Sequence, residues 1–355
     1  MKKILFAAVA VMAMAACSNE DVISRPALPV IGFDTFVENS TRAADINADN
    51  LANFGVYGSV VNSQNQQGMI FANQMVTKTA LGYEYSPEQY WIAGAKYDFV
   101  AFAPYQSGAD ATWTYAPKVA TDATVATAAE NGTITFDNAK ADANQDLLFA
   151  ATACTTPANI TTAPEAVKFT FNHLLSRVRF TFTNGFQMGS NIELKVENVK
   201  ITNVDKVGTL GIANRVAGDW SVDETKGVFE KTFGNAGTDD YIPVADNAAN
   251  SSASTEHFYL IPANGTYNVT FVVKLKQAGV ELATYPRTAT VPLNMVKGYS
   301  YNVKAILDAS NTSNEGQLYP IEFQVEGVSD WANYTNADAT VTLPTTGGNQ
   351  GTENN

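Results

Sequence analysis

The chain is poor in basic charge, in cysteine and histidine, and in helical periodicity, and each shortage removes a class of function. Only 22 Lys and Arg stand against 35 Asp and Glu, a formal net charge of −13. A nucleic-acid binder needs a basic stripe to neutralise phosphates, and no window supplies one. The two cysteines, Cys17 and Cys154, cannot make a disulfide framework. They also lie too far from each other and from the two histidines, His173 and His257, to match zinc-site spacing. No HExxH, no phosphate loop ending in Lys-Ser or Lys-Thr and no GxSxG elbow occurs. The expectation is a protein with no catalytic residue, no metal and no cofactor. What is abundant is apolar: 45% of the 355 residues, with 19 Phe and 15 Tyr and only 16% charged. Such a composition argues against disorder and for a folded, acidic, extracellular chain.

The remaining polar groups have ordinary explanations. His173 and His257 read as imidazoles hydrogen-bonded in strand contexts. Asp223-Glu224 and Asp239-Asp240 fall in polar, turn-like stretches, where carboxylates are solvated, and do not form the facing pair a glycosidase needs. Trp91, Trp113 and Trp220 read as core or rim residues. The Asn-Gly steps at 131–132 and 264–265 read as turns, because Asn-Gly accepts positive φ cheaply.

The N-terminus carries Lys2 and Lys3, then an apolar run from Ile4 to Ala13, then Met14-Ala15-Ala16-Cys17. The run is too short to span a bilayer and reads as a removable secretory signal over residues 1–16. Its last four residues resemble a lipobox, in which the Cys17 thiol is lipidated and becomes the first residue; Met14 stands where Leu is usual. The alternative is an ordinary cleavage site with an incidental cysteine. Ser18-Asn19-Glu20-Asp21 resembles the acidic signal that sends lipoproteins of Bacteroidota to the outer cell surface. With Cys17 lipidated, Cys154 is expected as a lone buried thiol and no intramolecular disulfide forms.

Residues 18–27 read as a tether. Leu28 to Val37 then forms a β-like run with apolar side chains on both faces: Leu28, Val30, Ile31, Phe33, Phe36 and Val37. A small, polar stretch around Arg42 and Ala43 follows, exposed and open to proteases. Beyond residue 51 the chain alternates with period two. Val167, Phe169 and Phe171 share one strand face, Val178, Phe180 and Phe182 another, and Tyr267 to Leu275 alternate through a whole strand. Thr-, Ala- and Asn-rich stretches at 106–131 and 151–163 read as surface loops. Amphipathic helix is confined at most to residues 43–53. This is the all-β pattern, and two β-sandwich domains in tandem, residues 43–165 and 166–355, fit it best.

The ordered set of the Cys17 lipobox, Thr41-Arg42-Ala43-Ala44, Leu51 to Tyr57, Phe171 to Val178, Phe258-Tyr259-Leu260-Ile261-Pro262 and Ile321 to Trp331 resembles the fimbrillin family of Bacteroidota, the major and accessory pilins made from lipoprotein precursors. The resemblance implies transthyretin-like sandwiches and a polymerisation route. The precursor is anchored to the outer membrane by its lipid, and a trypsin-like surface protease cuts between Arg42 and Ala43. The pro-segment, residues 17–42, departs with its first strand. A C-terminal strand of another pilin subunit fills the vacated groove, in a homo- or hetero-polymer that forms the fimbrium and supports adhesion to a host or glycan receptor. Asp338 to Leu343, through Val341 and Leu343, is one candidate donor; Ile321 to Val325 is a stronger strand that also suits the domain core. Arg25 is a poor cleavage site because Pro26 follows it. The rival reading is a surface lipoprotein retained by Cys17, either a pilus anchor or a module binding glycan or host protein. The first 42 residues hold four acids and four bases, so the matured body keeps the full −13. Its acidity favours solubility and gives no attraction between copies, which leaves strand and groove to supply it.

Overall fold

The computed structural model describes residues 29–37, 51–118, 128–231, 252–312 and 323–330; for residues 36, 37, 128 and 323–330 it describes the backbone alone. The fold is all-β, as the period-two patterning requires, with two single-turn helices among the described residues, Asn138–Ala141 and Ala309–Thr312. Among the described residues, no helix is long and apolar enough to cross a membrane.

The first half is a closed path of seven strands. These are β1 (Phe33–Val37), β2 (Asn53–Val61), β3 (Gln67–Thr79), β4 (Gly82–Glu84), β5 (Lys96–Ala103), β8 (Leu148–Thr155) and β9 (Val167–His173), in the order β1-β4-β3-β2-β5-β8-β9. A four-stranded sheet packs on it: β6 (Trp113–Lys118), β7 (Ala128–Asp137), β12 (Val207–Ala213) and β13 (Val216–Val222), ordered β13-β12-β7-β6. Tyr57, Val100, Phe102 and Phe149 of the closed path meet Tyr115, Ile134, Phe136, Leu210 and Ile212 of this sheet in one buried cluster.

The second half is a sandwich of two facing sheets. One holds β10 (Ser176–Asn184), β15 (Ser252–Ser254), β16 (Phe258–Leu260), β19 (Tyr299–Leu307) and β20 (Phe323–Asp330). The other holds β11 (Ile192–Asp205), β14 (Lys226–Lys231), β17 (Asn264–Gln277) and β18 (Val280–Asn294), ordered β14-β11-β17-β18. The inward residues are the ones the alternation marks. Val178, Phe180 and Phe182 of β10 are fully buried against Val269, Phe271 and Val273 of β17. Each such side chain contributes roughly 1.5–3 kcal/mol by leaving water.

Strand pairing runs across residue 165. The strand β9 opens the segment expected as the second domain, yet it pairs with β1 and β8 in the first half. The hairpin β12–β13 leaves the second half and pairs along β7, from Val207↔Asp137 to Ile212↔Gly132. The crossing at Leu174 and Leu175 is tied down: Trp220 Nε1 donates to the Leu174 carbonyl at 2.7 Å and Gly298 N to that of Leu175 at 2.8 Å. Lys297 Nζ donates to the carbonyls of Ala217 and Gly218 at 2.8 and 2.6 Å.

Other expectations change locally. The stretch 106–131 contains the strand β6 and the start of β7, and 151–163 contains the end of β8. Asn131-Gly132 is strand, not turn: Gly132 pairs with both Pro117 and Ile212, and a Cβ there would stand 2.5 Å from the Ala116 carbonyl and the Tyr115 hydroxyl. Glycine serves close backbone approach at this position. Asn264-Gly265 likewise opens β17. His173 ends β9 with Nδ1 2.6 Å from Asp146 Oδ2, both buried. Cys154 is a free thiol, half-buried, and burial raises its pKa.

Candidate assembly site

The site is built around the first strand and begins with parity. Ile31 and Phe33 are buried, while Val30 is 37% exposed and bridges to Tyr90. Val30 is therefore not a groove filler: the run Leu28 to Val37 is apolar on both faces in sequence, but here one parity faces the barrel and the other faces out. Phe36 and Val37 enter through their backbone register, opposite Thr170 and Phe171. Leu28, Cys17, Arg42, Ala43, Val341 and Leu343 lie outside the described residues.

Phe33 sits inside a cage of rings. Its centroid is 5.4 Å from Phe71 and from Tyr85, 5.8 Å from Phe169, 6.1 Å from Phe99 and 6.4 Å from Phe54. The Phe169 ring lies nearly parallel, the others edge-on or tilted, arrangements worth about 0.5–1.5 kcal/mol per pair beyond burial. Backbone contacts hold the strand's entry. Ile31 N donates to the Gln89 carbonyl, Trp91 N to that of Pro29, and Val167 N to that of Gly32, at 2.8, 3.0 and 2.8 Å. Tyr85 Oη donates to the Ile31 carbonyl at 2.7 Å and accepts from Gln89 N at 3.2 Å. Burial raises the Tyr85 pKa above its ordinary value, so the phenol stays protonated and can donate.

The ladder is one-sided. The strand β1 runs parallel to β9 over five residue pairs, Phe33↔Val167 to Val37↔Phe171, but touches β4 through one, Phe33↔Tyr83. In turn β9 meets β8 only at Leu148↔His173 and Phe149↔Asn172. Among the described residues, Val167 to Phe171 thus find their ladder partners on β1 alone. Without β1 the barrel has two open edges, β4 and β9, above an aromatic floor. An edge of that kind is a template for another strand.

Of the expected filler residues, the structure brings Ile31 and Phe33 together at one place and turns Val30 away. Sequence reading missed the receiving side: Tyr83 and Tyr85 on one face of a short alternating run, and Phe54, Phe71 and Phe99. The spacing Tyr83-x-Tyr85 carries the signal, but its partner strand lies about fifty residues upstream. Of the two candidate donors, Phe323 to Val325 already belongs to the sandwich, pairing with Ala305 to Val303 of β19. Among the described residues, no group of three or more His, Cys, Asp and Glu side chains is placed to hold a metal ion.

A family model described as fimbrillin-like matches residues 41–331. Among solved structures, a fimbrial protein from Bacteroides vulgatus ATCC 8482 superposes with a TM-score of 0.58 at 17% identity, covering 85% of this chain and 99% of that one. A candidate cell adhesion protein from Bacteroides ovatus ATCC 8483 has a TM-score of 0.45 at 14% identity, covering 86% and 98%. Another, from Bacteroides uniformis ATCC 8492, has a TM-score of 0.42 at 17% identity, covering 85% and 98%. No curated protein matches the chain.

Proposed function

This chain belongs to the fimbrillin-like family, and from that premise we propose that it is a fimbrial subunit assembled by strand exchange. It is exported as a lipoprotein through Cys17, cut between Arg42 and Ala43, and polymerised at the cell surface when the place of β1 is taken by a strand of another subunit. The observation that carries this reading is the setting of Phe33: a side chain locked among five rings, on a strand whose main ladder partner depends on it. Such a strand is complementary to its groove, yet it precedes the matched family segment, which begins at residue 41. Cleavage after Arg42 severs it from the rest of the chain.

The commitment of Phe323 to Val325 to β19 favours the later segment, Asp338 to Leu343, as donor. Its Val341 and Leu343 have the i, i+2 spacing of Ile31 and Phe33, the two fillers that point inward. Division into an N-terminal unit closed by β9 and a C-terminal sandwich suits this scheme better than a boundary at residue 165. Partners under this reading are other pilin subunits, the outer membrane before cleavage, a trypsin-like protease, and a receptor bound by the finished fimbrium.

The test is N-terminal sequencing of subunits from surface fractions, with Arg42→Ala beside the native chain. A start at Ala43, lost in the variant together with polymer, is the expected result. A polymer whose subunits are still shortened in Arg42→Ala overturns the cleavage assignment. Subunits that keep a lipidated Cys17 in mature fimbriae identify the retained anchor instead.

A further inference from the structure

Several of the described lysines face carboxylates: Lys195 and Lys274 meet Glu197, Lys200 meets Glu230, and Lys226 meets Asp205. Lys231, at the end of β14, is different. It is 5% exposed, its ammonium stands 5.7 Å over the Phe258 ring, and its Nζ contacts Oδ1 of Asn144. The Asn144 amide in turn directs Nδ2 at Oδ2 of Asp142, 3.4 Å away. A buried amine, a primary amide and a carboxyl are therefore in series.

The backbone presents them rigidly. Asp142 and Ala143 both have positive φ, 50° and 49°, a conformation L-residues avoid unless their surroundings fix it. Ala143 is fully buried in the core of the second half, its carbonyl accepts from Tyr259 N at 2.9 Å, and Asn144 N donates to the Ala141 carbonyl at 2.9 Å. Ala143 of this first-half loop is thus plugged into the sandwich, and the exposed Asp142 and Asn144 flank it, with the Asn144 amide against the lysine.

We propose that Lys231 and Asn144 become joined by an intramolecular isopeptide bond, with Asp142 delivering a proton. The neutral Nζ attacks Cγ of Asn144 and the new C–N bond forms. The proton lost from Nζ passes through solvent, which reaches the exposed Asp142, and the Asp142 carboxyl, with Oδ2 3.4 Å from Nδ2, delivers a proton to that nitrogen. The Cγ–Nδ2 bond then breaks and ammonia leaves. Amine and primary amide become a secondary amide and ammonia; nothing is oxidised or reduced.

Desolvation supplies the nucleophile. Burial lowers the Lys231 pKa to about 8, against the opposing pull of Asp142 and Glu256, so about a tenth of the amine is neutral at pH 7. Fixed contact replaces the collision that makes amide aminolysis slow in solution. The product would tie the first half to β14 covalently, in a chain whose described cysteine is a free thiol.

The test is intact mass and peptide mapping of the full-length chain and of its matured form, after incubation at neutral pH. The expected result is a mass lower by one ammonia and a branched tryptic peptide joining the segments of Asn144 and Lys231. Lys231→Arg and Asn144→Ala should keep full mass, and Asp142→Ala should link on the order of 10²-fold more slowly. A native chain of full mass overturns the proposal. So does loss of ammonia that maps to a cyclised asparagine with no branch. Linkage at the native rate in Asp142→Ala overturns the role of that carboxyl. If the variants fail to fold, the native branched peptide still decides.

Discussion

Phe33 and Phe169 lie stacked, 5.8 Å between ring centroids and 16° from parallel, and they come from neighbouring parallel strands at positions two residues apart in register. One of the two rings sits on the segment proposed to leave and the other on the wall that stays. The energetics of precursor and matured subunit should therefore separate at this pair.

Phe33→Ala removes a buried ring from the precursor and leaves a cavity among five aromatic neighbours. Urea unfolding of the uncleaved chain should show a loss of about 3–5 kcal/mol. Polymer built from cleaved subunits should be unchanged in stability, since residue 33 is gone from it. Equal destabilisation of both forms would contradict the exchange.

Tyr85→Phe keeps the ring against Phe33 but removes the hydroxyl that donates to the Ile31 carbonyl. The precursor should lose about 0.5–1.5 kcal/mol. Because that hydroxyl reads backbone and not side chain, any strand lying in the same register would use it. Slower assembly of the cleaved variant, followed by light scattering, is the accompanying expectation.

Hydrogen exchange should report the ladder of β9 directly. The β1-facing backbone amides, those of Val167, Phe169 and Phe171, should be protected in the precursor, exposed in the cleaved monomer and protected again in polymer, whereas those of β17, paired on both sides by β11 and β18, stay protected throughout. Unchanged protection of Val167, Phe169 and Phe171 after cleavage would show that the groove closes on itself.

Val341→Asp with Leu343→Asp places two carboxylates where the proposed donor needs apolar side chains. Burying an ionised group without a partner is far costlier than the groove can return. The monomer should fold normally by circular dichroism and fail to polymerise. Intact polymer from this variant would move the donor elsewhere in the chain.

The strands were legible wherever one face alone is buried. Val167-Phe169-Phe171 and Tyr267 to Leu275 alternate in sequence and in burial alike, because period two maps directly onto the pleat. Parity was illegible in Leu28 to Val37, where both faces are apolar and only the position of the barrel turns Val30 out. Asn131-Gly132 misled for a related reason: its local preference for a turn is overridden by sheet neighbours on both sides, which need a residue with no side chain. The hairpin β12–β13 could not be assigned to the first half from sequence, since its partner β7 is about seventy residues earlier and pairing at that range leaves no local trace. The receiving rings Phe54, Phe71, Tyr85 and Phe99 were hidden likewise, each an ordinary core aromatic until the fold gathers them around Phe33.

The double crossing between halves has a mechanical consequence. A filament subunit is pulled at its two ends, and halves joined by a single linker would yield there like a hinge. Here the chain passes from the first half to the second at Leu174 and sends β12 back to lie along β7 over six residue pairs. Drawing the halves apart requires breaking those six pairs as well as straightening the chain crossing. Stretching the filament in flow should therefore meet a stiff link between the halves, and the first element to yield should lie elsewhere.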